Sequence, residues 1–297
     1  MDEKQPSILK TILQISHPLA LLAGILLYAL GAGVADFLGH PVSADQYFLG
    51  QACITLLQLT GFFMKAYFDM TDELPRNLKN EQFRKIQQAI LLVTFTILTV
   101  GAVITVILVT QGASSPAFFA ILGAAFLLSY FYAIPPLRLA YQGYGELMQA
   151  VLLANLTPAF AYIIQVGEMH RLLALLTFPL TTLLLAALLV FSLPGYAEDL
   201  LHDRKTLMIR LGWPRGMTLH NGLILVGYLL LAVAYFVGLP WPLTWPGLLS
   251  VPIAIFQIWQ LGQIANGVKP RWSLLLITAA ATFGLTAYMI TYSLWIG

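Results

Sequence analysis

The sequence predicts an all-α fold, a polytopic membrane helix bundle of about nine transmembrane helices in two four-helix halves plus one. Of its 297 residues, 59% are hydrophobic and only 9% are charged, whereas a soluble domain carries about 25% charged residues. The apolar residues also fall in runs close to the roughly 20 residues that a helix needs to cross a bilayer. We therefore expect residues 1–297 to form a single transmembrane domain in the cell membrane.

Nine apolar runs define the predicted spans. They are Pro18–Phe37, Tyr47–Tyr67, Ala89–Thr110, Ala117–Ala133, Gly145–Gln165, Leu172–Leu193, Thr218–Val237, Pro242–Leu261 and Trp272–Trp295. The fourth run is short, and the eighth contains Pro252, a residue that interrupts helices. The longer connections follow spans two and six, which are four spans apart, and this layout favours two related halves.

The basic residues are distributed unevenly between the two sides of the predicted membrane. When the loops alternate, 14 of the 15 Lys and Arg residues fall on one side and Arg171 falls on the other. The positive-inside rule makes the basic side cytoplasmic, and the amino terminus with it. The bases are spread over short membrane-proximal loops, so we expect the lipid bilayer and no nucleic acid as a partner.

The loop after span two carries acids next to bases. Lys65, Asp69 and Glu73 are spaced i, i+4 and i+8, with Asp72 at i+7, so a helix places them along one face. Arg76 follows in the same loop. Mg²⁺ prefers oxygen ligands, keeps several waters and is usually shared with substrate phosphates. Lys and Arg side chains bind phosphate oxygens directly.

The loop after span six repeats this pattern. Asp199 and Asp203 lie one helical turn apart, and Lys205 and Arg210 follow them. Charged residues beside a span often only mark the solvated interface, so the signal is the pair of loops together. The pair predicts two acidic loops on the cytoplasmic side that are bridged by Mg²⁺ and bind a diphosphate.

The first of these loops resembles a motif of the UbiA-type membrane prenyltransferase superfamily. It reads KAYFDMTDE, and Tyr67, Phe68 and Asp69 match the menaquinone-branch form of the motif. Lys65 and Ala66 stand where the family has an Asn-Asp pair.

Two further segments resemble motifs of the same family. In GYAEDLLHDRKTLMIRLG, Gly195 stands where the family has its first Asp, and the matching residues are Asp199, Thr206, Leu207, Arg210, Leu211 and Gly212. The segment YAIPPLRLAYQGYGELMQAV is similar to the loop after helix four in the 1,4-dihydroxy-2-naphthoate polyprenyltransferase branch. That likeness depends on Pro135, Pro136, Leu137, Arg138, Tyr141, Gly143, Gly145 and Glu146.

The resemblance implies a Mg²⁺-dependent enzyme that transfers a polyprenyl group from its diphosphate to an aromatic acceptor. The branch implies 1,4-dihydroxy-2-naphthoate as the acceptor, in menaquinone biosynthesis. We expect metal ligands at Asp69, Asp72, Glu73, Asp199 and Asp203, and diphosphate contacts at Lys65, Arg76, Arg138 and Lys205. Glu146 and Tyr141 are expected to orient or deprotonate the acceptor, and they complete the predicted catalytic set with Asp69 and Asp199.

Three other interpretations stay open at this point. The acceptor could be another ring, such as homogentisate, hydroxybenzoate or a chlorophyllide-like ring. A transporter is less favoured, because transporters place ionisable residues at the bilayer midplane and these acids lie at helix ends. A non-catalytic isoprenoid-binding relative would agree with the altered motifs.

Two polar residues lie in the apolar run of span five. We expect Gln149 and Asn155 either to face a cavity or to hydrogen-bond a neighbouring helix.

Overall fold

The computed structural model describes residues 8–73, 81–201 and 205–297, except the side chains of residues 8–10, 72, 73 and 82. The helices in chain order are α1 (Ile8–Ile15), α2 (Pro18–Phe37), α3 (Ala44–Glu73), α4 (Glu81–Thr110), α5 (Pro116–Ala133), α6 (Gly145–Val151), α7 (Thr157–Val166), α8 (Arg171–Ser192), α9 (Tyr196–Leu201), α10 (Leu207–Leu211), α11 (Trp213–Val237), α12 (Trp241–Leu248), α13 (Val251–Ala265) and α14 (Trp272–Ile296).

Nine segments within the described ranges are long and apolar enough to cross a membrane, which confirms the predicted all-α multi-pass fold. Two helices extend further than their apolar runs. The second span continues to Glu73, six residues past the predicted end, and the third begins at Glu81 rather than Ala89. Charged residues with good helix propensity continue a helix into water after the apolar run ends. The acidic residues of the first loop therefore belong to α3 itself.

Two predicted spans contain a break. The fifth consists of α6 and α7, joined by a π-helical turn at Leu152–Leu156. The eighth consists of α12 and α13, which meet at Leu249 and Ser250. Pro158 and Pro252 each lie in the first turn of the helix after the break, where the missing N–H of proline leaves no hydrogen bond unmade.

The two halves of the bundle pack in similar ways. The helix α3 packs along α4, and α8 packs along α11; these are spans two with three and six with seven. The last helix, α14, packs on α2 and α8 and closes the bundle. In the interior, α2 approaches α7 so closely that a side chain at Gly31 would overlap the backbone of Pro158.

A ladder of polar side chains joins α13 to α14. The Thr278 hydroxyl donates to Gln260 Oε1 at 2.9 Å, and the Thr282 hydroxyl donates to Gln257 Oε1 at 3.0 Å. The Gln257 amide in turn contacts the ring of His220 on α11, with 3.1 Å between their nitrogens. These groups are buried, and each meets a partner on a neighbouring helix, as buried polar groups in a bilayer require.

Candidate functional site

An ion pair lies at the end of α3 that the distribution of basic residues predicts to be cytoplasmic. Lys65 Nζ lies 2.8 Å from Asp69 Oδ2, and the two side chains are 34% and 37% exposed. The predicted i, i+4 stacking brings them together, because residues four apart lie on one helix face. Their partial exposure leaves both groups accessible at the molecular surface.

The segment after α5 lies against this end of α3. The Tyr141 hydroxyl donates a 3.0 Å hydrogen bond to the backbone oxygen of Lys65. The Arg138 guanidinium carbon lies 4.0 Å from the centre of the Tyr141 ring and 5.4 Å from that of Phe68, in cation–π geometry. The Lys65 ammonium, which is paired with Asp69, and the Arg138 guanidinium thus both lie against the ring of Tyr141.

The hydroxyl of Tyr141 stays a donor at neutral pH. Burial raises the pKa of the Tyr141 phenol, and the neighbouring Asp69 carboxylate raises it further by hydrogen bonding and by its charge. The Arg138 charge acts in the opposite direction and is the smaller effect. The bond to the Lys65 carbonyl is therefore independent of pH in the physiological range.

The other end of the same segment contacts the start of α10, the helix that follows the second predicted acidic loop in the chain. Both carboxylate oxygens of Glu146 accept from the N–H of Leu207, each at 3.2 Å. The Arg210 guanidinium donates to the backbone oxygen of Gln142 at 3.1 Å. Gly143 has a φ of +79°, and a Cβ there would lie 3.1 Å from the backbone oxygen of Thr206. Only glycine adopts this backbone conformation at so close a distance without strain.

The start of α10 explains why Glu146 is held there. Thr206 caps the helix, since its hydroxyl accepts from the N–H of Ile209 at 3.3 Å. The N–H of Leu207 is one of the first-turn donors without a partner inside the helix. A carboxylate is favoured at this position by the positive end of the helix dipole.

Asp199 lies on the short helix α9. Its N–H donates to the backbone oxygen of Gly195 at 2.8 Å, and a Cβ on Gly195 would lie 3.5 Å from Asp199 Oδ2.

The loop segment 134–144 contacts both α3, which carries Asp69, and α10, which follows Asp199 in the chain. It is the structural link between the two predicted acidic loops.

Several predicted site residues lie outside the described part of the chain. Arg76 and Asp203 are not described, and neither are the side chains of Asp72 and Glu73. Lys205 is described and exposed. Among the described residues, no three His, Cys, Asp or Glu side chains gather around a common metal position. The predicted set of five metal ligands therefore stays a prediction.

The structure gives Gln149 and Asn155 partners on neighbouring helices. The Gln149 amide donates to the Tyr132 hydroxyl at 2.9 Å, and the Asn155 amide donates to the Thr177 hydroxyl at 3.4 Å. Of the two alternatives, the hydrogen bond to a neighbouring helix is therefore observed in both cases. Gln149 also lines a small cavity, so it meets both descriptions.

Sequence reasoning missed His17 at the edge of the site. Its backbone has a φ of +47°, and its ring centre lies 4.8 Å from that of Phe62. Surrounding protein atoms partly desolvate the ring of His17, although its side chain is still exposed, and this lowers its pKa; the charge of Lys65 lowers the pKa further. His17 is a single histidine before an apolar run, and no partner residue at a characteristic helical spacing indicates a role for it. No sequence pattern therefore identified it as a site residue.

Comparison with known structures identifies the fold as that of the UbiA-type membrane prenyltransferases. A UbiA homologue from Archaeoglobus fulgidus, bound to DMAPP and Mg²⁺, matches with a TM-score of 0.61 and 18% identity over 94% of this chain and 98% of that one. A structure of digeranylgeranylglyceryl phosphate synthase matches with a TM-score of 0.64 and 14% identity over 98% of both chains. The predicted resemblance to this superfamily is confirmed in the fold.

A sequence relative points to one branch. The 1,4-dihydroxy-2-naphthoate octaprenyltransferase of Bacillus subtilis (strain 168) is 24% identical over 185 residues. That stretch covers 62% of this chain and 59% of the relative. No protein-family model matches the sequence.

Proposed function

We propose that this protein transfers a polyprenyl group from its diphosphate to an aromatic acceptor in the membrane, with 1,4-dihydroxy-2-naphthoate as the acceptor. One observation carries the proposal: segment 134–144 brings Tyr141, with Arg138 against its ring, to the Lys65–Asp69 pair and also contacts the start of α10. A cationic and acidic cluster at helix ends of a UbiA-type fold suits a diphosphate with its metal ion.

The donor groups that are present fit Mg²⁺. Of the predicted metal ligands, Asp69 and Asp199 have described side chains; both offer hard oxygen atoms, and Asp69 is partly exposed. Mg²⁺ commonly binds through one or two carboxylates together with waters and substrate phosphates, so a larger protein cage is not required. We propose that Asp69 and Asp199 hold the ion with Asp72, Glu73 and Asp203. When bound, Mg²⁺ would offset the negative charge of the leaving diphosphate.

The basic residues then have a direct role. We propose that Lys65, Arg138, Arg76 and Lys205 bind the diphosphate oxygens and stabilise the charge that develops as the allylic carbon–oxygen bond breaks. The electron pair of that bond leaves with the diphosphate. The allylic carbon bonds to an electron-rich ring carbon, which then loses its proton.

Glu146 and Tyr141 receive a different role from the one expected. The resemblance implies an acceptor-side role, but both residues make hydrogen bonds within the protein. We propose that they are positioning residues. Tyr141 supports the Arg138 guanidinium on the face of its own ring, and Glu146 holds the start of α10, which follows Asp199 in the chain.

We also propose that this charged face is cytoplasmic, on the basis of the basic-residue asymmetry.

The test is prenyl transfer in isolated membranes that contain the protein. Labelled polyprenyl diphosphate and 1,4-dihydroxy-2-naphthoate are supplied with Mg²⁺ or with a chelator. We expect a prenylated product that requires Mg²⁺ and falls about a hundredfold in Asp69→Asn and in Asp199→Asn. The control is Asp45→Asn, an exposed acid at the opposite end of α3, which should be neutral.

Other outcomes would change the proposal in defined ways. Product with a different aromatic acceptor only would keep the reaction and replace the substrate. No product with any acceptor from folded protein would favour an isoprenoid-binding relative without catalysis.

A further inference from the structure

The ion pair at the end of α3 joins two groups that are proposed to bind different ligands. The Lys65 ammonium is proposed for the diphosphate and the Asp69 carboxylate for the metal ion, yet Lys65 Nζ lies 2.8 Å from Asp69 Oδ2. Each group therefore already has its charge partner within the protein. For both groups to serve the substrate together, this bond has to open.

The ammonium also opposes a second cation at Asp69. Because Mg²⁺ binds an oxygen ligand at about 2.1 Å, an ion on Asp69 Oδ2 would lie within about 5 Å of Lys65 Nζ. Charges of +1 and +2 at about 5 Å repel each other enough, even in water, to weaken metal binding about tenfold. Lys65 also neutralises the carboxylate as a whole. Asp69 is therefore a poor metal ligand while the pair is closed.

The fold supports the closed pair from a second side. The Lys65 ammonium lies 5.3 Å from the centre of the Tyr141 ring, and the Tyr141 hydroxyl donates to the backbone oxygen of Lys65 at 3.0 Å. Tyr141 thus contacts both the side chain and the backbone of the same lysine. The closed position is a defined one, because the ammonium has an anion and an aromatic ring beside it.

The same pair is weak enough to open. Both side chains are partly exposed, and exposed ion pairs contribute little to stability because water screens them. The lysine side chain is a flexible four-carbon stem, so its ammonium moves without any change in the backbone. A diphosphate carries several anionic oxygens and attracts the ammonium more strongly than a single carboxylate does.

We propose that the Lys65–Asp69 ion pair is a latch that keeps the metal ion off Asp69 until the prenyl diphosphate binds. The diphosphate draws the ammonium away, and the freed carboxylate then binds the metal ion together with the diphosphate. The inference rests on the proposed function and deepens it, since it states how the site couples its two charged ligands. By thermodynamic linkage, each ligand then tightens the binding of the other by the same factor.

The first test measures the metal ion alone, without diphosphate or acceptor. Mn²⁺ is the probe, because it takes the same oxygen ligands as Mg²⁺ and its free aqueous form is counted by electron paramagnetic resonance. We expect purified Lys65→Met to bind Mn²⁺ about tenfold more tightly than the wild type, although it loses prenyl transfer. Lys65→Arg keeps the charge and should keep the wild-type affinity. A lysine that only stabilises the fold gives no such gain when it is removed.

Two controls locate the effect. Lys85→Met removes an exposed lysine near the start of α4, the helix that follows α3 in the chain, and should leave the Mn²⁺ affinity unchanged. Lys65→Met combined with Asp69→Asn should lose the gain, because the ion then lacks the carboxylate. Lys65→Gln removes the charge and keeps a polar side chain, so it replaces Lys65→Met if that variant melts below the wild type.

The second test measures the coupling between the two ligands. The Mn²⁺ titrations are repeated with a saturating prenyl thiolodiphosphate, a slowly reacting donor analogue, and a protein-free blank accounts for the Mn²⁺ that the analogue holds in solution. We expect the analogue to tighten Mn²⁺ binding in the wild type by a factor about tenfold larger than in Lys65→Met. Equal factors in the two proteins would mean that Lys65 does not link the ligands.

The outcomes separate the latch from the proposed function. If the wild type prenylates an acceptor and Lys65→Met binds Mn²⁺ no more tightly than the wild type, the latch is overturned and the proposed function stands. If the wild type transfers no prenyl group, the proposed function fails. The Mn²⁺ titrations still decide the latch in that case, because they need no turnover. Absence of Mn²⁺ binding in every protein, with and without the analogue, overturns the latch.

Discussion

Both carboxylate oxygens of Glu146 accept hydrogen bonds from the N–H of Leu207, although 61 residues separate the two in the chain. The contact joins the first turn of α6 to the first turn of α10. Tyr141 makes the corresponding link to α3, through the backbone oxygen of Lys65. A single short segment thus holds the ends of two spans in place, and several predictions test whether activity depends on it.

Removal of the Glu146 carboxylate should release the loop after Asp199. A hydrogen bond to a charged group contributes about 1.5–3 kcal/mol, so we expect Glu146→Ala to lower kcat at least tenfold. Glu146→Gln keeps one oxygen acceptor and should lose less. Prenyl transfer and thermal melting of each variant check this. Glu168→Ala, an exposed acid after α7, is the control, and equal activity in all three variants would show that the link is dispensable.

Tyr141→Phe separates the hydroxyl of Tyr141 from its ring. The variant loses the bond to the Lys65 carbonyl, worth about 0.5–1.5 kcal/mol, and keeps the ring 4.0 Å from Arg138. We expect a modest rise in the KM of the polyprenyl diphosphate. Tyr141→Ala also removes the cation–π contact and should raise that KM further. Michaelis–Menten analysis against each substrate distinguishes the two effects, and an unchanged diphosphate KM in Tyr141→Ala would rule out this positioning role.

Gly143→Ala tests the contact between the two loops. The added methyl group would lie 3.1 Å from the Thr206 oxygen, at a backbone φ of +79°, and an L-residue in this conformation costs about 1 kcal/mol before any contact is counted. We expect lower thermal stability together with reduced transfer. Gly112→Ala has a φ of +102° and meets no atom within 4 Å, so it isolates the backbone cost. Equal losses in the two variants would mean that the contact itself is unimportant.

The lowered pKa of His17 predicts that the protein loses stability in mild acid. Partial desolvation and the Lys65 charge lower its folded-state pKa, although the side chain is exposed and the effect is therefore small, whereas the unfolded chain has a histidine pKa near 6.5. The unfolded state therefore binds more protons below about pH 6.5, and stability falls as the pH decreases toward the lowered folded-state pKa. His17→Asn, which tolerates the left-handed backbone, should lose less melting temperature between pH 7.5 and pH 5. Parallel curves for both proteins would contradict this.

The spans and the first ion pair could be predicted because their causes are local. Apolar runs of bilayer length predicted all nine spans, and the spacing of Lys65 and Asp69 predicted their contact. Pro252 marked the eighth run as the place of an interruption, and the break at Ser250 lies next to it. The π-helical turn Leu152–Leu156 could not be predicted in this way, because it depends on how neighbouring helices satisfy the freed backbone groups.

The cross-loop contacts lay beyond sequence reasoning for a similar reason. The sequence motif indicates Glu146 as a site residue, but its partner is the backbone N–H of Leu207. Every residue except proline has such a donor, so the residue type at 207 does not predict the contact. The amide of Gln58 likewise donates to the Thr157 hydroxyl at 3.0 Å, because that hydroxyl gives its hydrogen to the backbone oxygen of Leu152. Such backbone partners are visible only in the folded chain.

The Gln–Thr ladder between α13 and α14 has a consequence for biogenesis. Alone in lipid, the α13 segment would expose the amides of Gln257 and Gln260 without partners, and its transfer from the translocon would be less favourable. The Thr278 and Thr282 hydroxyls also bond backbone oxygens of α14 itself, so α14 carries a smaller cost. Paired, Gln257 and Gln260 meet Thr282 and Thr278. We expect the last two spans to enter the bilayer together as a helical hairpin, so that truncation before α14 leaves the preceding span prone to slip back out.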